Sequence, residues 1–255
     1  MRTLARSIAI AAALVTTSAT AQAADINAFV STAIKTVTDE LLPPFARAGR
    51  HTVRAIFAPS GALIPRFDGG EPVDVFLTDS TAIDELISRG KVVGRIDLAR
   101  TGIGIAVRKG APKPDVSSPE ALRRTLLAAK SIGHAAPAGG SVTAAHIQGV
   151  FRRLGIADEV APKVKLAAGG PNGRVSVLVS SGEAEIGLQQ VSELLSNPEV
   201  EVIGMLPPDL QQTTLYSAGV TTSAREADAA MALIKAMTAP STAAVYKARG
   251  LEPAW

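Results

Sequence analysis

Small polar residues and glycines stand where several predicted β-strands give way to helices. Ser31 and Thr32 stand at the end of the strand INAFVS, and Ser60 and Gly61 follow the strand TVRAIFA. Gly139, Gly140 and Ser141 follow the strand SIGHA, and Asn172 lies in a later turn. A helix start leaves peptide N–H groups unpaired and carries a partial positive charge. Several such turns facing one cleft would bind a small oxyanion or a carboxylate without cationic side chains. Each turn taken alone could equally be an ordinary helix cap.

Four more polar residues complete the candidate set. Thr78 ends the strand VDVFLT, Gln190 lies in AEIGLQQV and Tyr216 in TTLYSAGV, and we expect all three to contact a ligand. His134 ends the strand SIGHA, so it could point into the cleft and carry a proton if the protein is an enzyme. Arg66, Arg100 and Arg174 could add charge for a larger carboxylate, and the sequence leaves open whether they face the cleft or the solvent.

Several kinds of site are not supported by the sequence. The chain has three histidines, no cysteine and no HxH or HExxH spacing, so we expect no metal site and no cofactor. There is no G-x-S-x-G motif of a serine hydrolase, and GGPNGR lacks the order of a phosphate-binding loop. Without cysteines the fold has no disulfides and depends on its hydrophobic core.

Strand and helix patterns alternate along the chain. From INAFVS to STAIDELISRG the order is βαβαβα, with the first helix expected to stop at Pro43 and Pro44, and a similar alternation follows. This alternation predicts an α/β fold of two lobes, each a mostly parallel sheet flanked by helices, with a cleft between them. We expect residues 24–104 and 209–255 to form lobe 1 and residues 105–208 to form lobe 2.

The first 23 residues have the three parts of a secretory signal peptide. Arg2 and Arg6 precede an apolar core from Ile8 to Val15, and Ala21-Gln22-Ala23 is a small-x-small cleavage site. We therefore expect a periplasmic protein without a membrane-inserted segment. Cleavage leaves 24 basic residues against 23 acidic ones, a balance that gives no large field for nucleic acid.

Three segments carry a resemblance to a known family. PSGAL at 59–63, GGEPVDVF at 69–76 and GLEPA at 250–254 resemble segments of the periplasmic molybdate-binding protein family, which are type II solute-binding proteins. The resemblance implies a monomer that traps an anion between two lobes and delivers it to a permease of an ABC transporter. It places the family's contacts at Ser31, Ser60, the turn 138–141 and Asn172. Gln190 departs from the family, which has a tyrosine there.

Longer segments resemble the aconitate-isomerase-like subgroup of that family. They are APKPDVSSPEALRRTLLAAKSI, RRLGIADEV, GEAEIGLQQVSELL and LPPDLQQTTLYSAGV. The subgroup implies an alternative function, a secreted isomerase that interconverts cis- and trans-aconitate. For that reaction the candidate polar groups of this chain are His134, Tyr216 and Gln190, and we expect His134 to be the base. The subgroup's turn YSDSASG reads HAAPAGG here, so the tyrosine and two hydroxyls are lost. The effector half of a transcription regulator shares the fold, but the signal peptide and the missing DNA-binding helices argue against it.

Overall fold

A computed structural model describes residues 23–137, 140–168 and 174–255. Strands and helices alternate, as the sequence predicts. The strands are β1 (Asp25–Ser31), β2 (Thr52–Ala58), β3 (Val75–Asp79), β4 (Val92–Thr101), β5 (Ile103–Arg108), β6 (Ile132–Ala135), β7 (Val164–Ala167), β8 (Ile186–Gln190), β9 (Val200–Met205), β10 (Thr214–Thr221) and β11 (Glu252–Pro253). The α-helices are α1 (Lys35–Gly49), α2 (Ser60–Asp68), α3 (Ser80–Ser88), α4 (Pro119–Ala128), α5 (Val142–Arg153), α6 (Ala157–Val160), α7 (Val175–Ser181), α8 (Val191–Leu194), α9 (Ala227–Met237) and α10 (Ala243–Ala248).

The strands form two sheets, and the predicted α/β fold with two sheets is confirmed. The first sheet has the order β11-β4-β10-β3-β1-β2 and the second β7-β6-β8-β5-β9. We call each sheet with its flanking helices a lobe. The assignment of residues 24–104 and 209–255 to lobe 1 and of residues 105–208 to lobe 2 stays a prediction. Strand β5 of the second sheet begins at Ile103, two residues before the predicted start of lobe 2.

Both sheets are mixed, which differs from the expected mostly parallel arrangement. β1 pairs in parallel with β2 and β3, and β6 in parallel with β7 and β8. By contrast, β10 is antiparallel to β3 and β4, and β5 is antiparallel to β8 and β9. The antiparallel pairs involve the strands next to the crossings between the sheets. The strands on which the chain arrives from the other lobe, β10 and β5, run against the βα units of their sheets, whereas β4 and β9, from which it leaves, run with them.

Hydrophobic side chains cover both faces of each sheet. On the first sheet, α1 and α9 pack one face around Val37 and Ile234, and α2 and α3 pack the other around Leu63 and Leu86. On the second sheet, α4 and α5 cover one face and α7 and α8 the other. Burial on both faces accounts for the continuous apolar runs of the central strands. In the described part of the chain, no helix has the length and apolar character needed to cross a membrane.

Helix α1 continues through Pro43 and Pro44, where the sequence predicted a stop. Both prolines are exposed on the helix, and the helix ends only at Gly49, before Arg50 adopts a left-handed conformation with φ of 55°. A proline inside a helix removes the hydrogen bond to the carbonyl four residues earlier. On the solvent side water can satisfy that carbonyl, while Val37 and Leu42 keep the opposite face buried.

The two crossings between the lobes are tied together by one side chain. Gly102 separates β4 from β5 on the outward crossing, and Gln211 lies on the return segment between β9 and β10. The Gln211 side chain accepts from the Ile103 N–H at 2.8 Å and donates from Nε2 to the Ile103 carbonyl at 3.0 Å. Its amide therefore pairs with Ile103 as a neighbouring strand would.

Candidate ligand-binding site

A small polar cavity, which we call the recess, lies between the lobes. It has a volume of about 20 Å³, enough for roughly one water-sized group. The first lobe contributes the end of β1 and the start of α2, and the second lobe contributes the start of α5 and the end of β8. The lining residues are Ser31, Thr32, Ala33, Pro59, Ser60, Ser141, Val142, Thr143, Gln190, Glu193 and Tyr216.

Hydrogen bonds join the two lobes through the recess. Ser60 Oγ donates to Ser31 Oγ at 3.2 Å, and both serines line the recess together with Tyr216. Tyr216 in turn donates to Gln190 Oε1 at 2.6 Å, and Gln190 Nε2 donates to Thr214 Oγ1 at 3.2 Å. The pairing between Tyr216 and Gln190 thus links β10 of the first lobe to β8 of the second.

The second lobe holds its own hydroxyls in place. Thr143 Oγ1 donates to Gln189 Oε1 at 2.6 Å and lies 2.9 Å from Ser141 Oγ. The same Gln189 oxygen accepts from the Gln190 N–H at 3.0 Å. Ser141 is the N-cap of α5 but makes no side-chain cap bond, so its hydroxyl faces the recess instead of the helix.

The recess adjoins a larger cavity, which we call the chamber. The chamber has a volume of about 710 Å³, within the range of small-molecule sites. Four residues line both cavities, namely Thr32, Pro59, Ser141 and Glu193. Much of the remaining wall is small and apolar, with Phe57, Ala58, Ala135, Ala136, Ala167, Ala168 and Val175.

Four charged side chains line the chamber, two of each sign. Lys35 is bound to Asp39 at 2.6 Å and lies 4.4 Å from the centre of the Phe57 ring. Arg174 precedes α7 and acts electrostatically on Glu193. The chamber can therefore attract an anionic group at Lys35 and Arg174, while the carboxyl groups of Asp39 and Glu193 balance the charge of these two cations.

Glu193 is the one described carboxylate that lines both cavities. Its pKa is raised by burial, against the opposing effects of a hydrogen bond with Thr32 and the charge of Arg174. Burial also raises the pKa of Tyr216 well above its usual value, and the nearby Glu193 carboxylate adds to that rise. The Tyr216 hydroxyl therefore stays protonated and can donate.

Two glycines form a direct backbone contact between the lobes. The Gly61 N–H at the start of α2 donates to the Gly140 carbonyl at 3.1 Å. A Cβ at Gly61 would lie 3.0 Å from the Gly140 oxygen, and a Cβ at Gly140 would lie 2.9 Å from the Ala62 nitrogen. Gly140 also has φ of 72°, which side chains other than glycine rarely adopt. Only glycine fits at both positions without a shift.

The structure brings most of the predicted ligand-binding residues together. Those lining the recess are Ser31, Thr32, Ser60, Ser141, Gln190 and Tyr216. Gly61 and Gly140 contact each other, and Thr78 is buried in β3 away from both cavities. Gly139 and Asn172 lie outside the described residues. Of the three arginines left open, Arg174 lines the chamber, Arg66 pairs with Glu71 and Arg100 is exposed on β4.

His134 does not point into the cleft, which corrects the expectation from the sequence. Its ring is 2% exposed, packs against Phe151 of α5 and bonds through Nδ1 to the Ala135 carbonyl at 2.8 Å. Burial lowers its pKa. The side chains of a strand alternate between two faces, and His134 lies on the face that α5 covers, so it is part of the core of the second lobe.

Sequence reasoning missed several residues that line the two cavities. They are Thr143, Gln189, Glu193 and Lys35. One signal was present, because Gln189 and Glu193 flank Gln190 at the end of a predicted strand. In the described part of the chain, no cluster of three or more metal-binding side chains is present.

Comparison with known proteins gives the family. The sequence model of the family described as bacterial extracellular solute-binding protein matches residues 26–252. An aconitate isomerase from a Pseudomonas species is 33% identical over 221 residues, which are 84% of this chain and 82% of the relative. The molybdate-binding protein ModA of Azotobacter vinelandii is 26% identical over 236 residues, 90% of each chain.

The fold comparison agrees with the sequence comparison. The structure of the periplasmic molybdate-binding protein of Azotobacter vinelandii superposes with a TM-score of 0.69 at 18% identity, covering 89% of this chain and 98% of the other. Both resemblances expected from the sequence are therefore confirmed, and the match spans nearly the whole chain beyond the signal-like N-terminus. The chain belongs to the family of bacterial extracellular solute-binding proteins.

Proposed function

We propose that this protein binds a small organic carboxylate between its lobes, with one anionic group in the recess and the rest of the molecule in the chamber. The observation that carries this proposal is the junction of the two cavities at Thr32, Ser141 and Glu193. Neutral hydroxyls in the recess can donate to one carboxylate or oxyanion group. Lys35 and Arg174 can attract a second anionic group in the chamber.

Cavity size favours an organic carboxylate over a single tetrahedral oxyanion. The recess of about 20 Å³ accepts little more than one small group, whereas the chamber of about 710 Å³ is much larger than an ion such as molybdate needs. Alanine side chains along the chamber wall suit the carbon body of an organic ligand. ModA is a relative of this chain, so a tetrahedral oxyanion remains the alternative ligand to be tested.

Transport is part of the same proposal. Residues 1–23 would direct export to the periplasm, where the monomeric protein would bind its ligand and present it to the permease of an ABC transporter. Membership of the solute-binding family supports this role. Ligand binding between two lobes would change their relative orientation, and a permease can recognise that change.

A binding survey tests the proposal. We expect citrate or an aconitate to raise the melting temperature and to bind in calorimetry, while molybdate, tungstate and sulfate bind more weakly. Ser31→Ala and Ser60→Ala should each weaken binding by about tenfold or more, the effect of losing one hydrogen bond to an ion. Ser223→Ala changes an exposed serine and serves as the control. Stronger binding of molybdate than of every carboxylate would refute the choice of ligand.

A second function, isomerisation of aconitate, is supported by the 33% identity to an aconitate isomerase. In that reaction a base removes a proton from a methylene carbon, the double bond shifts, and the proton returns to the other end of the allylic system. Glu193 would be the base instead of His134, because Glu193 lines the chamber and its pKa is raised. Chromatography of cis- and trans-aconitate after incubation tests this. Glu193→Gln should abolish interconversion and His134→Phe should preserve it.

A further inference from the structure

Glu193 places a carboxyl group, negatively charged when ionised, in a cavity whose hydroxyls and cations otherwise suit anions. It lies at the junction of the recess and the chamber, beside Thr32 of the first lobe. Asp39, the other carboxylate of the chamber, is already bound to Lys35 at 2.6 Å and does not line the recess. Among the described carboxylates, Glu193 is thus the one placed to contact a ligand that occupies both cavities.

A carboxylate in this position discriminates between ligands by hydrogen bonding. An ionised carboxylate only accepts hydrogen bonds, so an anion without a donor meets a like charge that it cannot bond. A hydroxyl group on the ligand changes this, since its O–H can donate to Glu193 in a charge-assisted bond. The other polar groups of the recess do not impose this requirement, because hydroxyls such as Ser31 and Ser141 can donate or accept.

We propose that Glu193 is a specificity-determining residue that selects carboxylates bearing a hydroxyl group over the same carboxylates without one. This inference rests on the proposed binding function and names the ligand class more closely, as hydroxy acids. The ligand's carboxylates would contact the hydroxyls of the recess and the cations of the chamber, and its hydroxyl would lie at the junction between them.

The other charged and titratable groups around Glu193 do not provide this selection. Arg174 attracts its carboxylate and Tyr216 faces it from β10. Lys35 and Asp39 lie on α1 across the chamber and are bound to each other. Arg174 and Lys35 favour any anion, with or without a hydroxyl. The Tyr216 hydroxyl already donates a hydrogen bond to Gln190 Oε1.

Matched ligand pairs test the inference by calorimetry. Citrate differs from tricarballylate by one hydroxyl, and malate differs from succinate in the same way. We expect the wild-type protein to bind the hydroxyl-bearing member of a pair about tenfold or more tightly, the factor of one charge-assisted hydrogen bond. In Glu193→Gln this preference should fall to about threefold or less, mainly because the ligand without a hydroxyl binds more tightly once the like charge is gone.

Two further variants keep the result interpretable. Asp39→Asn removes a chamber carboxylate that does not line the recess, so it should retain the wild-type preference. Glu193→Asp keeps the charge but withdraws it by one methylene, so it should reduce the preference even if the glutamine variant fails to fold. An equal affinity for both members of a pair in the wild type, or an unchanged preference in the Glu193 variants, overturns the inference. Failure of these four ligands and of both aconitates to bind would instead refute the proposed function.

Discussion

The contact between Gly61 and Gly140 provides the sharpest test of how the two lobes come together. Replacing Gly61 by alanine puts a Cβ 3.0 Å from the Gly140 oxygen and 3.1 Å from its Cα, both backbone atoms that cannot rotate away. The lobes must separate at this point, and the N–H to carbonyl bond of 3.1 Å is lengthened or lost. The side chain itself meets nothing else within the first lobe at such short range, so the fold of each lobe should be unaffected.

The magnitude follows from the interactions lost. One backbone hydrogen bond contributes about 1 kcal/mol and overpacking at one contact costs about 1 kcal/mol or more. Together they disfavour the arrangement with the lobes in contact by about 2 kcal/mol. If the ligand is bound only in that arrangement, the apparent dissociation constant of Gly61→Ala rises roughly thirtyfold. Gly140→Ala should do at least as much, since its φ of 72° adds strain.

Two control variants separate this effect from a general effect of the substitution. Gly149 lies within α5, and the nearest atom to an added Cβ there is Arg152 Nη2 at 3.8 Å, so Gly149→Ala should bind normally. Gly110 has φ of 79° but nothing within 4 Å of a Cβ, so Gly110→Ala carries the backbone strain of Gly140→Ala without the contact between lobes. Calorimetry with the tightest ligand of the survey gives the dissociation constants, and small-angle scattering gives the shape. Unchanged affinity and scattering in Gly61→Ala would refute the reasoning.

Three more predictions concern buried or half-buried ionisable side chains. Asp74 is buried, and its carboxylate accepts hydrogen bonds from the backbone N–H groups of Asn27 at 2.8 Å, Arg225 at 2.8 Å and Glu226 at 3.2 Å. Asp74→Ala leaves these groups unpaired, so it should lower the free energy of unfolding by about 3 kcal/mol in urea titrations. Ligand affinity should not change. Because the pKa of Glu193 is raised in the fold, its ionisation destabilises the protein above that pKa, and Glu193→Gln should raise the melting temperature at pH 8 but not at pH 4. An equal effect at both pH values would contradict this. Burial lowers the pKa of His134 in the folded protein. As the pH falls below about 6.5, the histidine of the unfolded chain therefore takes up a proton before that of the folded protein does. The wild type should accordingly lose stability between pH 7 and 5 relative to His134→Phe. Melting curves across that range check it, and parallel curves for the two proteins would count against it.

The sequence predicted the serines of the site because strand-to-helix turns leave a simple signature. Ser31, Ser60 and Ser141 each stand next to such a turn, and the ends of neighbouring strands meet at one edge of a sheet. The direction of a side chain is harder to predict. His134 and Gln190 both lie at or near strand ends, yet one faces the core and the other the recess. That difference depends on the register of the strand against its helices, which a single sequence does not reveal.

Strand direction and helix ends show the same limit. Hydrophobic periodicity predicted the strands but not which of them run antiparallel, because that depends on where the chain passes between the sheets. Pro43 and Pro44 predicted a helix end, but α1 continues because both prolines lie on its exposed side. Glu193 was missed for a related reason. Its role comes from its closeness to Thr32 and Arg174, which are distant in the chain.

The paired bonds between Gln211 and Ile103 affect how the lobes can move. Two separate crossings could each bend and twist independently, which would allow the lobes to rotate about several axes. Because the two crossings are joined at one point, they should act as a single two-stranded hinge, which bends more easily than it twists. Movement should then follow mainly one axis, so that Gly61 returns to the same partner atom each time the lobes approach.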